Sequence, residues 1–239
     1  MENIDDKTVA EIVTENIKTA DVFKKNGIDF CCGGHVKVQE VCAKKGVDYS
    51  MIKEQILSVG KSSSRENDYK AWDLDFLVDY IINTHHKYVE EANQLIIQYS
   101  DKVAKVHGHH YTETVEVNQL FHNIANELNM HMHKEEMVLF PYIKELVNAK
   151  KNGVKVMQPP FGTIQNPINM MDAEHTDAGD TLGKIADLTN NFNPPEGACN
   201  TFRALYAKLE EFQNDTFQHI HLENNILFPK AIELEKELL

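Results

Sequence analysis

His131-Met132-His133-Lys134-Glu135, followed after one residue by Met137-Val138-Leu139-Phe140-Pro141, returns as His219-Ile220-His221-Leu222-Glu223 and Asn225-Ile226-Leu227-Phe228-Pro229. His, His, Glu, Leu, Phe and Pro recur at the same offsets, with a step of 88 residues. Two further histidines, His86 and His175, lie upstream of the two copies and are 89 residues apart. A step this long is not a solenoid period. It reads as a duplicated helical hairpin whose halves place equivalent side chains opposite one another in a shared core.

Around these motifs the apolar periodicity predicts four long helices, near 73–100, 113–150, 164–191 and 197–237. The breaks carry Gly or Pro: His107-Gly108-His109-His110, Asn152-Gly153 through Pro159-Pro160-Phe161-Gly162, and Asn193-Pro194-Pro195-Glu196-Gly197. Nothing in this stretch has the alternation of a hairpin. The expected fold is all-α, an up-down-up-down four-helix bundle.

The motif residues fall on the inward series of each helix. In the second helix Val117, Phe121, Ile124 and Leu128 lead to His131 and Glu135, then Val138 and Tyr142. In the fourth, Leu205, Leu209, Phe212 and Thr216 lead to His219 and Glu223, then Ile226. In the third, Ile164, Ile168 and Met171 lead to His175. Ionisable groups thus stand where the bundle pattern asks for core residues. Unpartnered, each would cost roughly several kcal/mol. A metal neutralises carboxylates and takes imidazole lone pairs. His-x-x-x-Glu puts both side chains on one face, one turn apart.

Four imidazoles and two carboxylates exceed what one zinc takes. They suit two metals, each holding two His, with both Glu bridging and two octahedral positions left open. Mixed N/O ligation with open positions points to iron, with manganese as the alternative. Core histidines hydrogen-bonded to carboxylates are the competing account, and six ligand-type residues in duplicated register weigh against it. On the first helix the series Val78, Ile82, Val89 and Ala92 admits His85, whereas matching Ile82 to Met171 favours His86. His133 and His221 lie two residues beyond ligands and are expected to point outward. His107, His109 and His110 read as a solvated turn.

Residues 1–59 read as a small helical N-terminal domain, 60–72 as a polar, Ser-rich linker, and 73–239 as the bundle. Thr8 and Glu11 form a capping box for a helix that ends at Asn26-Gly27. Short helices follow near 36–45 and 50–59. Cys31-Cys32-Gly33-Gly34 lies between Asn26-Gly27 and the first of these short helices, on a turn whose glycines permit close backbone approach. Cys42 and Cys199 are isolated and expected to be buried.

Net charge is −13, from 24 basic and 37 acidic residues. Such a chain repels phosphate, which disfavours non-specific nucleic-acid or anionic-membrane binding. No apolar run approaches a membrane span, and the polar, acidic N-terminus lacks a signal core. A cytoplasmic location is expected. Four Cys are too few for a disulfide scaffold at this length.

These residues resemble a known family. Leu128-x-x-His131-x-x-x-Glu135-Glu136, Glu174-His175 and His219-x-x-Leu222-Glu223-Asn224-Asn225-x-Leu227-Phe228-Pro229 resemble a hemerythrin-like di-iron bundle. Asp29-Phe30-Cys31-Cys32-Gly33-Gly34 resembles the short domain that precedes this bundle in bacterial iron-sulfur cluster repair proteins, the repair of iron centres family. The resemblance implies iron ligands at His86, His131, Glu135, His175, His219 and Glu223, holding two non-haem irons with an oxo or hydroxo bridge, and it selects His86 over His85. It implies a role for Cys31 and Cys32 as redox or iron-handling thiols. It further implies repair of clusters damaged by nitric oxide or oxidants. The partners would be damaged iron-sulfur proteins or the cluster-assembly machinery, and a small ligand such as nitric oxide or dioxygen. A homodimer is compatible with the sequence. Three functions compete: an iron supplier, an enzyme reducing nitric oxide at the open positions, and an oxygen or nitric oxide sensor.

Overall fold

The computed structural model describes residues 4–59 and 68–239. Among these residues there is no strand, only an isolated bridge between Thr8 and Lys37. Of the predicted linker, 60–67 lies outside the described residues. Residues 68–72 pack onto the bundle instead: Tyr69–Ala71 forms a 3-10 turn, and the buried Tyr69 ring meets Trp72 edge-on at 4.8 Å.

The N-terminal unit holds α1 (Val9–Glu15), α2 (Ala20–Lys25), α3 (Val38–Lys45) and α4 (Tyr49–Ser58). The Thr8/Glu11 capping box forms as expected, with Glu11 Oε2 accepting from the Thr8 N–H at 2.8 Å. The single helix expected up to Asn26 is broken, because Asn16 turns its side chain to cap the 3-10 turn Ile17–Thr19. Asn side chains compete with the helix for backbone donors.

The bundle comprises α5 (74–107), α6 (113–152), α7 (Gln165–Leu188) and α8 (200–238). Helices α5 and α7 each pack on both α6 and α8, so successive helices are neighbours around one core. After α7 the chain reverses through three left-handed residues, Asn190, Asn191 and Phe192, with φ of 50, 53 and 58°. Phe192 is buried there, so its packing holds a conformation costly for an aromatic residue.

Each of α5, α6 and α8 contains one π-helical turn, at Ile82–His86, Glu135–Leu139 and Glu223–Leu227. The Phe140 N–H reaches back five residues to the Glu135 carbonyl, and the Phe228 N–H to that of Glu223. Pro141 and Pro229 follow directly. Without an N–H, and with a ring that clashes with the carbonyl four residues back, proline favours the wider turn.

The extra residue shifts the inward series by one. Val138, expected inside, is 44% exposed, and Leu139 is buried in its place. On α5, Ile81 is the buried residue and Ile82 only partly so. Helix α7 has no π turn, and Ile168, Met171, His175, Ala178, Leu182 and Ile185 are all buried as the regular spacing predicts.

Two apolar clusters fill the bundle. One includes Leu77, Phe140, Ile143, Ile168 and Phe228, and the other Val89, Phe121, Ile124, Leu182 and Phe212. Between them lies a polar layer.

Candidate metal centre

The six predicted ligand residues form that layer, all at most 3% exposed. The structure brings them into two groups that share both carboxylates: His86, Glu135, His219 and Glu223, and His131, Glu135, His175 and Glu223. Each group draws one His from each repeat. Glu135 lies 3.4 Å from His86 Nε2 and 3.4 Å from His131 Nε2. Glu223 lies 3.1 Å from His175 Nε2 and 3.1 Å from His219 Nε2.

These contacts are close, yet most are not hydrogen bonds. Both oxygens of Glu135, both of Glu223, and Nε2 of His86 and His219 are buried without a hydrogen-bond partner. The donor atoms converge on common points rather than pairing with one another. Nε2 of His131 and of His175 stand 3.0 Å apart, where two lone pairs would repel unless a cation or proton lies between them. Orphaned buried donors and acceptors of this kind fit a metal pair.

The outward nitrogens are fixed. Nδ1 of His86 donates to Glu136 Oε1 at 2.7 Å, that of His131 to Glu174 Oε2 at 2.8 Å, and that of His175 to Asn224 Oδ1 at 2.8 Å. Each bond sets the tautomer that leaves Nε2 with its lone pair inward. Phe140 stacks on His86 and Phe228 on His175, so the repeated Leu-Phe-Pro packs against equivalent ligand rings.

Electrostatics agree with a cationic centre. Burial alone would raise the Glu223 carboxyl, but His219 and His175 hold it well below the usual carboxylate range. Burial works against a charged His131, and the Glu135 carboxylate outweighs it, pushing His131 up to about 9. His219, where burial dominates, is lowered.

His85 is also buried, a consequence of the π turn it occupies. It belongs to neither group: Nδ1 pairs with Asp215 Oδ1 at 3.0 Å and the ring stacks on His219. His86→Ala is therefore expected to lose metal and His85→Ala to keep it, measured as metal per chain. The reverse would place α5 about 100° from this reading, one residue around the helix.

The expectation that His221 points outward needs correction. It does point away from the centre, but into the N-terminal unit, where it is 1% exposed against Phe30. Burial pushes it down to about 4. His133 is exposed as expected. Cys199, expected in the core, is exposed at the start of α8 with its Sγ 3.3 Å from His107 Nε2. Cys42 is buried. Missed from the sequence were the partners that orient the ligands, Glu136, Glu174 and Asn224. The available signal is that each lies next to a candidate ligand, inside the motifs quoted above.

A cleft of about 520 Å³ opens directly on His131, with Glu127, Glu174 and Asp177 on its walls and Lys134 paired to Glu174. The Cys31-Cys32 turn is a second feature. Asp29 accepts from the backbone N–H of Cys31, Cys32 and Gly33 at 2.8, 3.1 and 2.7 Å. A Cβ on Gly34 would sit 2.5 Å from the Phe30 carbonyl oxygen, so only glycine fits. Cys31 is buried and Cys32 half-buried, with their Sγ atoms 3.8 Å apart. The bond to Cys32 and burial push the Cys31 thiol well up.

Comparison with known proteins places this arrangement. Residues 77–231 match the hemerythrin HHE cation binding domain, and residues 5–59 match a domain of unknown function, DUF542. The iron-sulfur cluster repair protein YtfE of Yersinia pestis (strain Pestoides F) is 34% identical over 219 residues, 91% of this chain and 93% of that protein. The protein of the same name from Edwardsiella ictaluri (strain 93-146) is 32% identical over 227 residues, 95% and 97% of the two.

Proposed function

The chain belongs to the hemerythrin HHE cation-binding family, with the N-terminal domain found in its iron-sulfur cluster repair members, and from that premise we propose that it is a di-iron protein that helps rebuild damaged iron-sulfur clusters by supplying iron. The observation that carries this reading is the pair of ligand groups sharing Glu135 and Glu223. His86, His131, Glu135, His175, His219 and Glu223 would hold the irons.

Bound here, iron would supply a redox couple whose ferric form is held less tightly than in a site rich in carboxylates, so that the ferrous form can leave on reduction. The chain contributes the rest. Glu136, Glu174 and Asn224 keep the imidazole lone pairs inward. Two apolar layers keep water from the centre. Glu127, Glu174 and Asp177 give a cation leaving past His131 an anionic path, and the Lys134 pair closes it. Cys31 and Cys32 serve as iron-handling or redox thiols. The clients would be iron-sulfur proteins damaged by nitric oxide or oxidants.

Iron transfer tests this. The chain is loaded with an iron isotope and mixed, under reductant, with a dehydratase whose [4Fe–4S] cluster has been damaged by nitric oxide. Client activity is expected to recover as the label leaves this chain and enters the client, faster than with the same amount of free ferrous iron. Recovery no faster than with free iron overturns the donor reading. Multiple-turnover nitrous oxide production in its place would identify a nitric oxide reductase.

A further inference from the structure

The two copies of the repeat are alike at the centre and differ just outside it. In α6 the π turn begins Glu135-Glu136-Met137, and in α8 it begins Glu223-Asn224-Asn225. The first residue of each faces the centre. The second accepts from a ligand imidazole, Glu136 from His86 and Asn224 from His175. The third breaks the symmetry. Met137 is 64% exposed and makes no use of its position. Asn225 Nδ2 donates to the Cys31 carbonyl oxygen at 3.1 Å, reaches within 3.5 Å of that of Phe30, and donates to His221 Nδ1 at 3.1 Å. His221 Nε2 in turn donates to Thr14 Oγ1 at 3.4 Å. Phe30 packs on Phe217 and His221. One turn of helix thus carries a ligand, the residue that orients another ligand, and the clasp on the thiol loop.

Such a turn has two registers. The π form holds Glu223 in the centre, with both carboxylate oxygens buried and unpartnered when no cation takes them. A wide turn is less favourable than an α-helical one and persists where something else holds it. With no cation to hold Glu223, Pro229 alone favours the wide turn, and a reversion to α-helix re-registers it by one residue, about 100° around the axis. That swing would carry Asn225 off the Cys31 carbonyl.

We propose that Asn225 couples the metal centre to the thiol pair: metal on Glu223 and His175 fixes the turn and keeps Cys31 docked and buried, and loss of metal releases the Cys31-Cys32 loop. The coupling is reciprocal, so docking of the loop also favours metal retention. It rests on the proposed metal reading of the six residues and adds the signal by which thiols become available as iron leaves.

The test is anaerobic alkylation of the full chain by iodoacetamide, reconstituted with ferrous iron or stripped by a chelator, with each cysteine followed by mass spectrometry. Exposed Cys199 serves as reference and buried Cys42 as a check on the core. Removing iron is expected to raise the Cys31 rate relative to Cys199 by about tenfold, within the range of ordinary site-to-site coupling, with Cys42 unmoved. Asn225→Met, which installs the residue of the other copy, is expected to keep the iron stoichiometry and give the fast Cys31 rate in both states. Equal Cys31 rates with and without iron in the wild type overturn the proposal. So does a wild-type response in Asn225→Met, or a parallel rise at Cys42. A wild-type chain that takes up no iron overturns the metal reading, and the coupling with it, before any rate is read.

Discussion

Glu135→Ala and Glu223→Ala are each expected to reduce the metal content from two irons per chain to less than one and to destabilise the loaded protein by about 3–5 kcal/mol, the usual cost of removing one partner from a buried charge cluster. Each carboxylate faces one imidazole of either group, so no single-site loss is available to either variant. The stability loss should depend on metal. Ligand binding to the native state is folding free energy, so stripping both wild type and variant with a chelator should shrink the difference between them. Glu→Gln, which preserves volume and removes charge, should lose metal in the same way. Full two-iron stoichiometry in both Ala variants would remove the bridging assignment.

The second large effect is expected from Cys31→Ala/Cys32→Ala: two irons and an intact bundle, with iron transfer to a damaged client reduced to the rate of free iron. Cys31 and Cys32 form with Asp29 a separate group of possible ligand atoms, outside both His/Glu groups, so the two irons on the His/Glu residues should not respond. The thiols instead face a cleft of about 470 Å³ whose other wall includes Thr176, next to His175, and Gly179. A Cβ on Gly179 would come within 3.9 Å of Cys32 Sγ. Iron stoichiometry, circular dichroism and the isotope transfer assay together decide the matter. Wild-type transfer in the double variant would leave residues 1–59 with a structural role.

Much of this was legible in the residues, and what was not has physical reasons. Binary patterning located the four bundle helices and put His131, Glu135, His175, His219 and Glu223 inside, because ionisable groups in a core series stand out against apolar neighbours. The pattern assumes a constant period, and the π turns break it. That is why Val138 was placed inside and why spacing alone left His85 and His86 open. Both are buried, and only His86 has its Nε2 in a ligand group. Pro141 and Pro229 were the available sign of the wider turns.

His221 escaped because its burial comes from a second unit. Ile220 and Phe217 on α8 pack against the cluster of Val9, Phe23, Phe30 and Cys31. Helical periodicity reports which face of a helix is apolar, and a His with a partner such as Thr14 reads as polar. Cys199 was misplaced for a related reason. A cysteine next to a Pro- and Gly-bearing loop takes its exposure from the path of that loop, here beside His107.

The central claim is that two irons sit on these six residues, and iron counted per chain in freshly purified protein, with its near-ultraviolet spectrum, tests it most directly. The account predicts two irons per chain, absorption of an oxo-bridged pair, and fewer than two irons per chain in His86→Ala but not in His85→Ala. One iron per chain, or two that survive His86→Ala, would contradict it.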